Sequence, residues 1–417
     1  MIRITQLILV TALSAALPAL AATTAIVNAT ILVGDNSAPL TGATLVMRDR
    51  LIVAVGRGVA VPPGATVIDG AGKTVTPGMF AASSAIGASE ITAVSGTNDR
   101  GSSHKRYSAA LDMADAFNPL SVSIPVARVD GITRALVSPL SRTGGRVLVG
   151  MGPVVSLGSA TDWLTKPRAA MFAEFGETGA GNSGTRATMM LEMREAFEEA
   201  RSAAPAKNVP NLDSLLSQLD LAALRPVLQG QVPLVASADR VSDIQAVLRL
   251  ARQYKLRLVI NGGAEAWMVA RELAAAKVPV ILDPDVVLPV NFESLASRPD
   301  NAKLLHEAGV MVVLNASSGE VQTLRNLRQL AGHAVNNGLD PAAALAAITL
   351  NPAKVYGIDK QLGSLAAGKL ADVVVWDGDP FEMSSHPSAV FISGERMSTT
   401  TRQSGLRDKY MRMHGLK

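Results

Sequence analysis

The stretch "VPLVASADRVSDIQAVLRLARQYKLRLVING", residues 232–262, holds two short apolar runs with an amphipathic segment between them. The runs around Val235 and Val259 are apolar without polar alternation, as expected of strands buried on both faces. Between them Ile244, Val247, Leu248 and Ala251 recur at three- and four-residue spacing, which places one apolar stripe on a helix. A helix-length crossover between two buried strands implies a parallel pair. Working downstream, "AEAWMVARELAAAK", "VPVILDPD", "NAKLLHEAG" and "VMVVLNASS" repeat the rhythm, and "GITRALVSP" upstream reads as an earlier unit. Six to eight strands fit between Val75 and Asn351. That number suits an α/β TIM-type (β/α)8 barrel over residues 76–352, although an open doubly wound sheet would show the same periodicity.

The two ends of the chain read differently. Residues 22–75 contain "TTAIVNATILVGD", "ATLVMRDRLIVAVG" and "ATVIDGAGKTV", short strands broken by turn residues, and "LADVVVWDGDP" and "AVFISGERM" bring the same texture back within 353–417. These segments are expected to meet in one small composite β-sandwich. Residues from about 161 to 224 read as a mostly helical insertion, with "SGTRATMMLEMREAFEEARSAA" the clearest helix. Just before it, "GAGNSG" at 179–184 matches G-x-G-x-x-G, but it lacks the strand–turn context of a dinucleotide site and is read as a capped loop.

Bulk properties narrow the function. With 417 residues a full core is available, and with no cysteine there is neither a disulfide nor a thiolate nucleophile. The first 21 residues combine Arg3, an apolar run and an Ala19-Leu20-Ala21 site, and they are expected to be a signal peptide that sends the protein to the periplasm or beyond. No later stretch is long and apolar enough to span a bilayer, so no membrane span is expected after cleavage. The net charge of +4 is dispersed and aromatics make up 4% of residues, so no nucleic-acid partner is expected. A small-molecule ligand and homo- or hetero-oligomers remain open.

Two stretches carry a family resemblance. "GKTVTPGMFAASSAIG" resembles the entry of the amidohydrolase superfamily into its barrel, where T-P-G is followed by an H-x-H pair. "AAITLNPAKVYGIDKQLGSLAAGKLADVVVWDGDPFE", Ala346 to Glu382, resembles that superfamily's exit from the barrel into its β domain. The units between are similar to the imidazolonepropionase-related branch. The resemblance implies hydrolysis of carbon–nitrogen bonds other than peptide bonds, with zinc or another divalent metal held at strand C-termini.

The positions implied for the metal ligands hold other residues: Ser83 and Ala85 for the H-x-H pair, Ser237 and then Asn261 or Gly262 for two further histidines, and Ser317 for the final aspartate. From this the resemblance implies a metal-free, catalytically impaired protein that binds a ligand at the old mouth, with no catalytic residue, metal or cofactor assigned. The alternative is an active hydrolase that uses relocated acidic residues. Asp239, Asp283 and Asp285 are the candidates, with Glu265 and Glu320 also mapping to the mouth and Asn315 as a neutral neighbour. Asp283 and Asp285 also suit a proline-set turn whose carboxylates cap backbone N–H groups. The five histidines, among them His333, fall elsewhere and read as surface or packing residues.

Overall fold

The computed structural model describes residues 22–104, 106–202, 216–289, 291–316 and 321–415. The leader expected at 1–21, Ser317 and Glu320 all lie outside the described residues. Eight strands form the central sheet: β6 (Met79–Ser84), β7 (Ile132–Val137), β8 (Leu148–Ser156), β9 (Leu164–Glu174), β10 (Leu234–Ala238), β11 (Leu258–Gly262), β12 (Val280–Leu282) and β13 (Val312–Leu314). Each strand lies beside its neighbours in sequence, from β6 at one end to β13 at the other.

Among the described residues no ladder joins β13 to β6. Side chains draw the seam together instead: Ser83 N donates to Asn315 Oδ1 at 3.2 Å, and Asn315 Nδ2 donates back to Ser83 O at 2.9 Å. The result is a nearly closed barrel rather than an open doubly wound sheet.

The strict (β/α)8 expectation needs correcting at one strand. From β9 to β13 the pairs are parallel, as is β6 with β7, but β8 runs antiparallel to both of its neighbours. Segments 138–147 and 157–163 are shorter than the roughly dozen residues that a parallel crossover needs, so the chain can only fold back on itself there. The helical insertion expected at about 161–224 also changes. Leu164–Glu174 is a strand, because its Ala-rich run is paired on both sides, by β8 and β10. Helices follow it at Glu177–Ser183, Arg186–Ser202 and Gln218–Leu228. The "GAGNSG" stretch therefore lies mostly within a helix and not in a loop.

Strand parity sorts the barrel into layers. Phe80, Leu136, Val154, Phe172, Val235, Val259, Ile281 and Val313 form one cluster, while their strand neighbours Leu234, Ala236, Leu258, Ile260, Val280 and Val312 pack on the surrounding helices. Successive side chains alternate faces, so the first set fills the interior. Tyr356 belongs to that interior cluster and donates its hydroxyl to Ala82 O at 2.5 Å.

The chain ends supply a second sheet. Its strands are β1 (Thr23–Ile31), β2 (Leu40–Arg48), β3 (Leu51–Gly56), β4 (Thr66–Asp69), β5 (Thr74–Pro77), β14 (Val373–Trp376), β15 (Pro387–Ile392) and β16 (Glu395–Arg396). The two ends meet where β5 pairs antiparallel with β14, Val75 opposite Val375. All eight strands hydrogen-bond into one sheet, where a sandwich predicts two. Ile26, Leu45, Ile52, Val373 and Phe391 are among its core residues.

A buried ion pair ties this sheet to the barrel. Arg134 on β7 donates Nε and Nη2 to Asp372 at 2.6 and 3.0 Å, with both side chains about 5% exposed or less. Among the described residues no helix is long and apolar enough to cross a membrane.

Candidate functional site at the barrel mouth

One two-residue step above the interior layer, parity dictates which side chains line the mouth. Phe172 leads to Glu174, Val235 to Ser237, Val259 to Asn261, Ile281 to Asp283 and Val313 to Asn315. A polar ring thus replaces an apolar one at the strand C-termini, the end of such a barrel where sites are built. The same parity resolves the choice left open on β11: Asn261 faces inward and Gly262 does not. Ser237, Asp239, Asn261, Asp283, Asn301 and Asn315 contribute to a cavity of about 260 Å3. A larger hollow, about 830 Å3, lies at the opposite end among Lys255, Arg257, Lys277 and Lys354. Its lining precedes the strands rather than following them, so the polar ring marks the chemically richer end.

The expected residues have varied surroundings. Ser83 Oγ donates to Ser138 Oγ at 2.9 Å, and Arg100 Nη2 reaches that same oxygen at 3.0 Å. Ala85, buried just past β6, has no donor atom to offer. Asn261 Nδ2 approaches Ser237 Oγ at 3.4 Å. Gly262 has φ +102°, and a Cβ added there would stand 2.6 Å from Asp239 Oδ1. The Asp239 carboxylate thus fills the direction in which a side chain at 262 would project. That carboxylate is held in place by the Ala264 N–H at 3.1 Å.

The three acidic candidates separate. Asp239 and Asp283 line the cavity. Asp283 Oδ1 accepts the Asp285 N–H at 2.9 Å, the turn-capping role open to it from sequence. Asp285 is outside the cavity lining and meets His333 Nδ1 at 2.6 Å, with both side chains about half exposed. Glu265 is buried and serves the backbone, accepting from Val241 N at 2.9 Å and Ala296 N at 3.2 Å.

Glu174 is the residue that sequence reading missed. Burial raises its carboxyl to about 7, and the neighbouring carboxylates of Asp239 and Glu293 push the same way against hydrogen bonds from Ser237 and the Gly176 N–H. Asp239 is raised to about 6, again mainly by burial, with Glu293 and Glu265 adding to it. Arg186 stands nearby but is occupied by Asp243, at 2.9 Å, and by Glu293. The missed signal was the step Phe172-Ala173-Glu174, which matches Val235-Ala236-Ser237 once 164–174 is recognised as a strand.

Comparison with known proteins adds the lineage. Residues 244–401 match the family model described as the amidohydrolase family. Over that stretch, less than half of its length, the chain is similar to the amidohydrolase family. A crystal structure of an amidohydrolase from Thermotoga maritima MSB8 superposes with a TM-score of 0.81 at 26% identity, covering 90% of this chain and 99% of that one. An imidazolonepropionase of Shouchella clausii is 35% identical over 109 residues, 25% of this chain and 24% of that protein. The amidohydrolase tasK of Hapsidospora irregularis is 27% identical over 191 residues, 45% of this chain and 19% of that protein. The matched segments therefore span less than a quarter of those two relatives' own length.

A divalent ion of the kind that an amidohydrolase-family domain implies needs several imidazole or carboxylate donors converging on one point. Among the described residues no group of three or more His, Asp or Glu side chains could hold one. Hydroxyls, amides and a pair of partly protonated carboxyls stand there instead. The donor set among the described residues does not fit such an ion.

Proposed function

We propose that this is an exported amidohydrolase-family protein whose barrel mouth binds a small polar ligand without a metal and does not itself hydrolyse carbon–nitrogen bonds. One observation carries the reading: Asn261, the inward-facing residue of β11, approaches Ser237 Oγ on β10 with its amide Nδ2 at 3.4 Å, so an amide and a hydroxyl stand at the two strand ends where imidazoles are implied. Ala85 and the Ser83–Ser138 hydroxyl pair support it, since neither offers a free ligand of the expected kind. Fold alone does not establish activity, which depends on the groups at the site.

The test is metal content and turnover. Mature protein dialysed against zinc and manganese should retain far less than one ion per chain and leave amides, cyclic amides and dipeptides intact. Stoichiometric tightly held metal with chelator-sensitive cleavage would overturn the proposal. Export is tested separately: N-terminal sequencing of protein from the periplasmic fraction should begin at Ala22, and an intact Met1 in the cytosol would count against it.

A second reading has one observation in its favour. Glu174 near 7 beside Asp239 near 6 is a pair poised for general acid–base work close to neutral pH. Metal-free hydrolysis that is lost in both Glu174→Gln and Asp239→Asn would favour it over the first.

A further inference from the structure

The helix Arg402–Met413, far along the chain from the barrel mouth, has no buried residue. It is anchored at its start, where Thr401 Oγ1 accepts the Ser404 N–H at 3.1 Å and Ser404 Oγ accepts the Thr401 N–H at 2.9 Å. Within it only Ser404 and Met411 are half-buried, and their spacing of seven puts them on one face. Leu406, Tyr410 and Met413, at i, i+4 and i+7, form an apolar stripe roughly 140° round the helix from that face. They are 43%, 53% and 66% exposed. A helix of 12 residues with Gly405 inside it is marginal in water by itself. The bare stripe is the face that a partner surface would cover.

Charge marks the kind of surface. Arg402, Arg407, Lys409 and Arg412 stand against Asp408 alone, so this one helix holds a net +3 of the chain's formal +4. Lysines and arginines are spread along the sequence, but most of their excess over the acids is gathered here. By helical spacing Arg402 and Lys409 flank the stripe on one side and Arg407 on the other. Among the described residues Arg407 is the one of the four with an ion pair, to Asp408 at 2.8 Å, and both side chains are at least half exposed. Such a pair holds the guanidinium only weakly. Lys409 Nζ lies 6.0 Å from the centre of the Tyr410 ring. Long cationic side chains beside an apolar stripe can bury their stems while their heads stay in a polar layer, and a tyrosine, apolar in its ring and polar at its tip, suits the same boundary.

We propose that the helix Arg402–Met413 docks the protein on an anionic lipid surface, with Leu406, Tyr410 and Met413 entering the headgroup layer and Arg402, Arg407 and Lys409 meeting lipid phosphates. A lipid surface supplies anions and an apolar layer together, which is what a basic amphipathic helix takes. Nucleic acid offers the phosphates but no apolar layer for the stripe. A second copy pairing through the same stripe would set +3 against +3. A stripe of three residues makes a weak and reversible contact that salt screens, and it does not span the bilayer. The inference stands apart from the reading of the barrel mouth.

The experiment is flotation of the mature protein with vesicles of phosphatidylcholine alone and of phosphatidylcholine mixed equally with phosphatidylglycerol, at low and at high potassium chloride. Binding about tenfold tighter to the anionic vesicles is expected, with release at high salt. Because no residue of the helix is buried, the double variants Leu406→Ser/Tyr410→Ser and Arg407→Gln/Lys409→Gln should fold as the parent does, which thermal melting checks. Each should weaken vesicle binding about fivefold or more. Lys255→Gln/Lys277→Gln, which removes two cations from the basic hollow at the other end of the barrel, should leave it unchanged. Equal binding to neutral and anionic vesicles would overturn the inference, as would an equal loss in the Lys255→Gln/Lys277→Gln control. Unchanged binding in Leu406→Ser/Tyr410→Ser would overturn it too, by leaving a purely electrostatic contact. Two further measurements expose the other occupants. Retention of duplex DNA without vesicle binding would assign the helix to nucleic acid, and a dimer in sedimentation velocity that Leu406→Ser/Tyr410→Ser abolishes, again without vesicle binding, would assign the stripe to a second copy; either result overturns the lipid assignment.

Discussion

Two sets of buried carboxylates sit at different places on the barrel, and they have been treated in opposite ways. At the junction with the second sheet, Asp372 meets Arg134 through two hydrogen bonds and accepts the Ser393 N–H at 2.8 Å. Arg134 spends its remaining donors on Thr165 and Ser393, each at 2.8 Å. At the mouth, Glu174 and Asp239 have each other and Glu293 as charged neighbours, and both hold their protons to unusually high pH. A buried charge that is paired and hydrogen-bonded is a structural tie, while carboxyls crowded together without a cation store unfavourable free energy that a ligand can relieve. The contrast separates the part of the molecule that holds the fold from the part that is available for binding.

The largest expected effect lies at the junction. Asp372→Ala leaves the Arg134 guanidinium buried without its carboxylate, a change that costs about 3–5 kcal/mol. Urea denaturation should show the midpoint falling with little change in slope. A loss below about 1 kcal/mol would mean that water or a neighbour takes over, and the contrast with the mouth would dissolve.

At the mouth the expected effect is a pH dependence of opposite character to that of an ordinary salt-bridged acid. The folded values of Glu174 and Asp239, about 7 and about 6, lie above the ordinary values of 4.5 and 3.8, so between about pH 4 and pH 7 the folded chain binds more protons than the unfolded one. The stability this contributes is full below the unfolded values and is lost as pH rises through the folded ones. For Glu174 the change is on the order of 3 kcal/mol. Denaturation curves at pH 5 and pH 8 should therefore show a drop in stability toward pH 8 that Glu174→Gln reduces. A slope unaltered by that substitution would place the titrating group elsewhere.

Gly262 tests the geometry that links the two carboxyl neighbours. Gly262→Ala combines a left-handed backbone with a Cβ 2.6 Å from Asp239 Oδ1, so a cost of about 1–3 kcal/mol is expected. Part of it should be recovered in the double variant with Asp239→Ala, where the clash is gone, and a double-mutant cycle measures that coupling. Strict additivity would show that Asp239 does not occupy the space above 262.

How far the amino-acid sequence reveals this arrangement depends on the element. Residues 232–262 declare a strand, helix and strand because their apolar spacing is regular, and that rhythm extends to β13. The reversed strand β8 is not legible in this way, since antiparallel and parallel strands share one side-chain period and only the short segments around it force the turn back. Glu174 was hidden because "LTKPRAAMFAE" is poor in β-branched residues and takes its strand form from pairing on both sides. Asn301 carries no local signal at all: the two carbonyls it bonds belong to a loop 38 and 37 positions earlier in the chain. Ser83, Ser237 and Asn261 were found because a family pattern pointed at their positions, and strand parity then decided between Asn261 and Gly262.

The smallest effect belongs to Asp285, which sequence reading had assigned to the mouth and which lies outside the cavity lining, paired with His333. Asp285 and His333 lie 2.6 Å apart, but their side chains are 46% and 54% exposed, so solvent competes with each partner. Pairs of this kind contribute about 0–1 kcal/mol. Asp285→Asn should therefore change stability by no more than that. Urea denaturation of Asp285→Asn beside Asp372→Ala makes the comparison direct. If Asp285→Asn cost as much as Asp372→Ala, the Asp285–His333 pair would be a structural tie despite its exposure, and the division between structural and available carboxylates would need to be redrawn to include it.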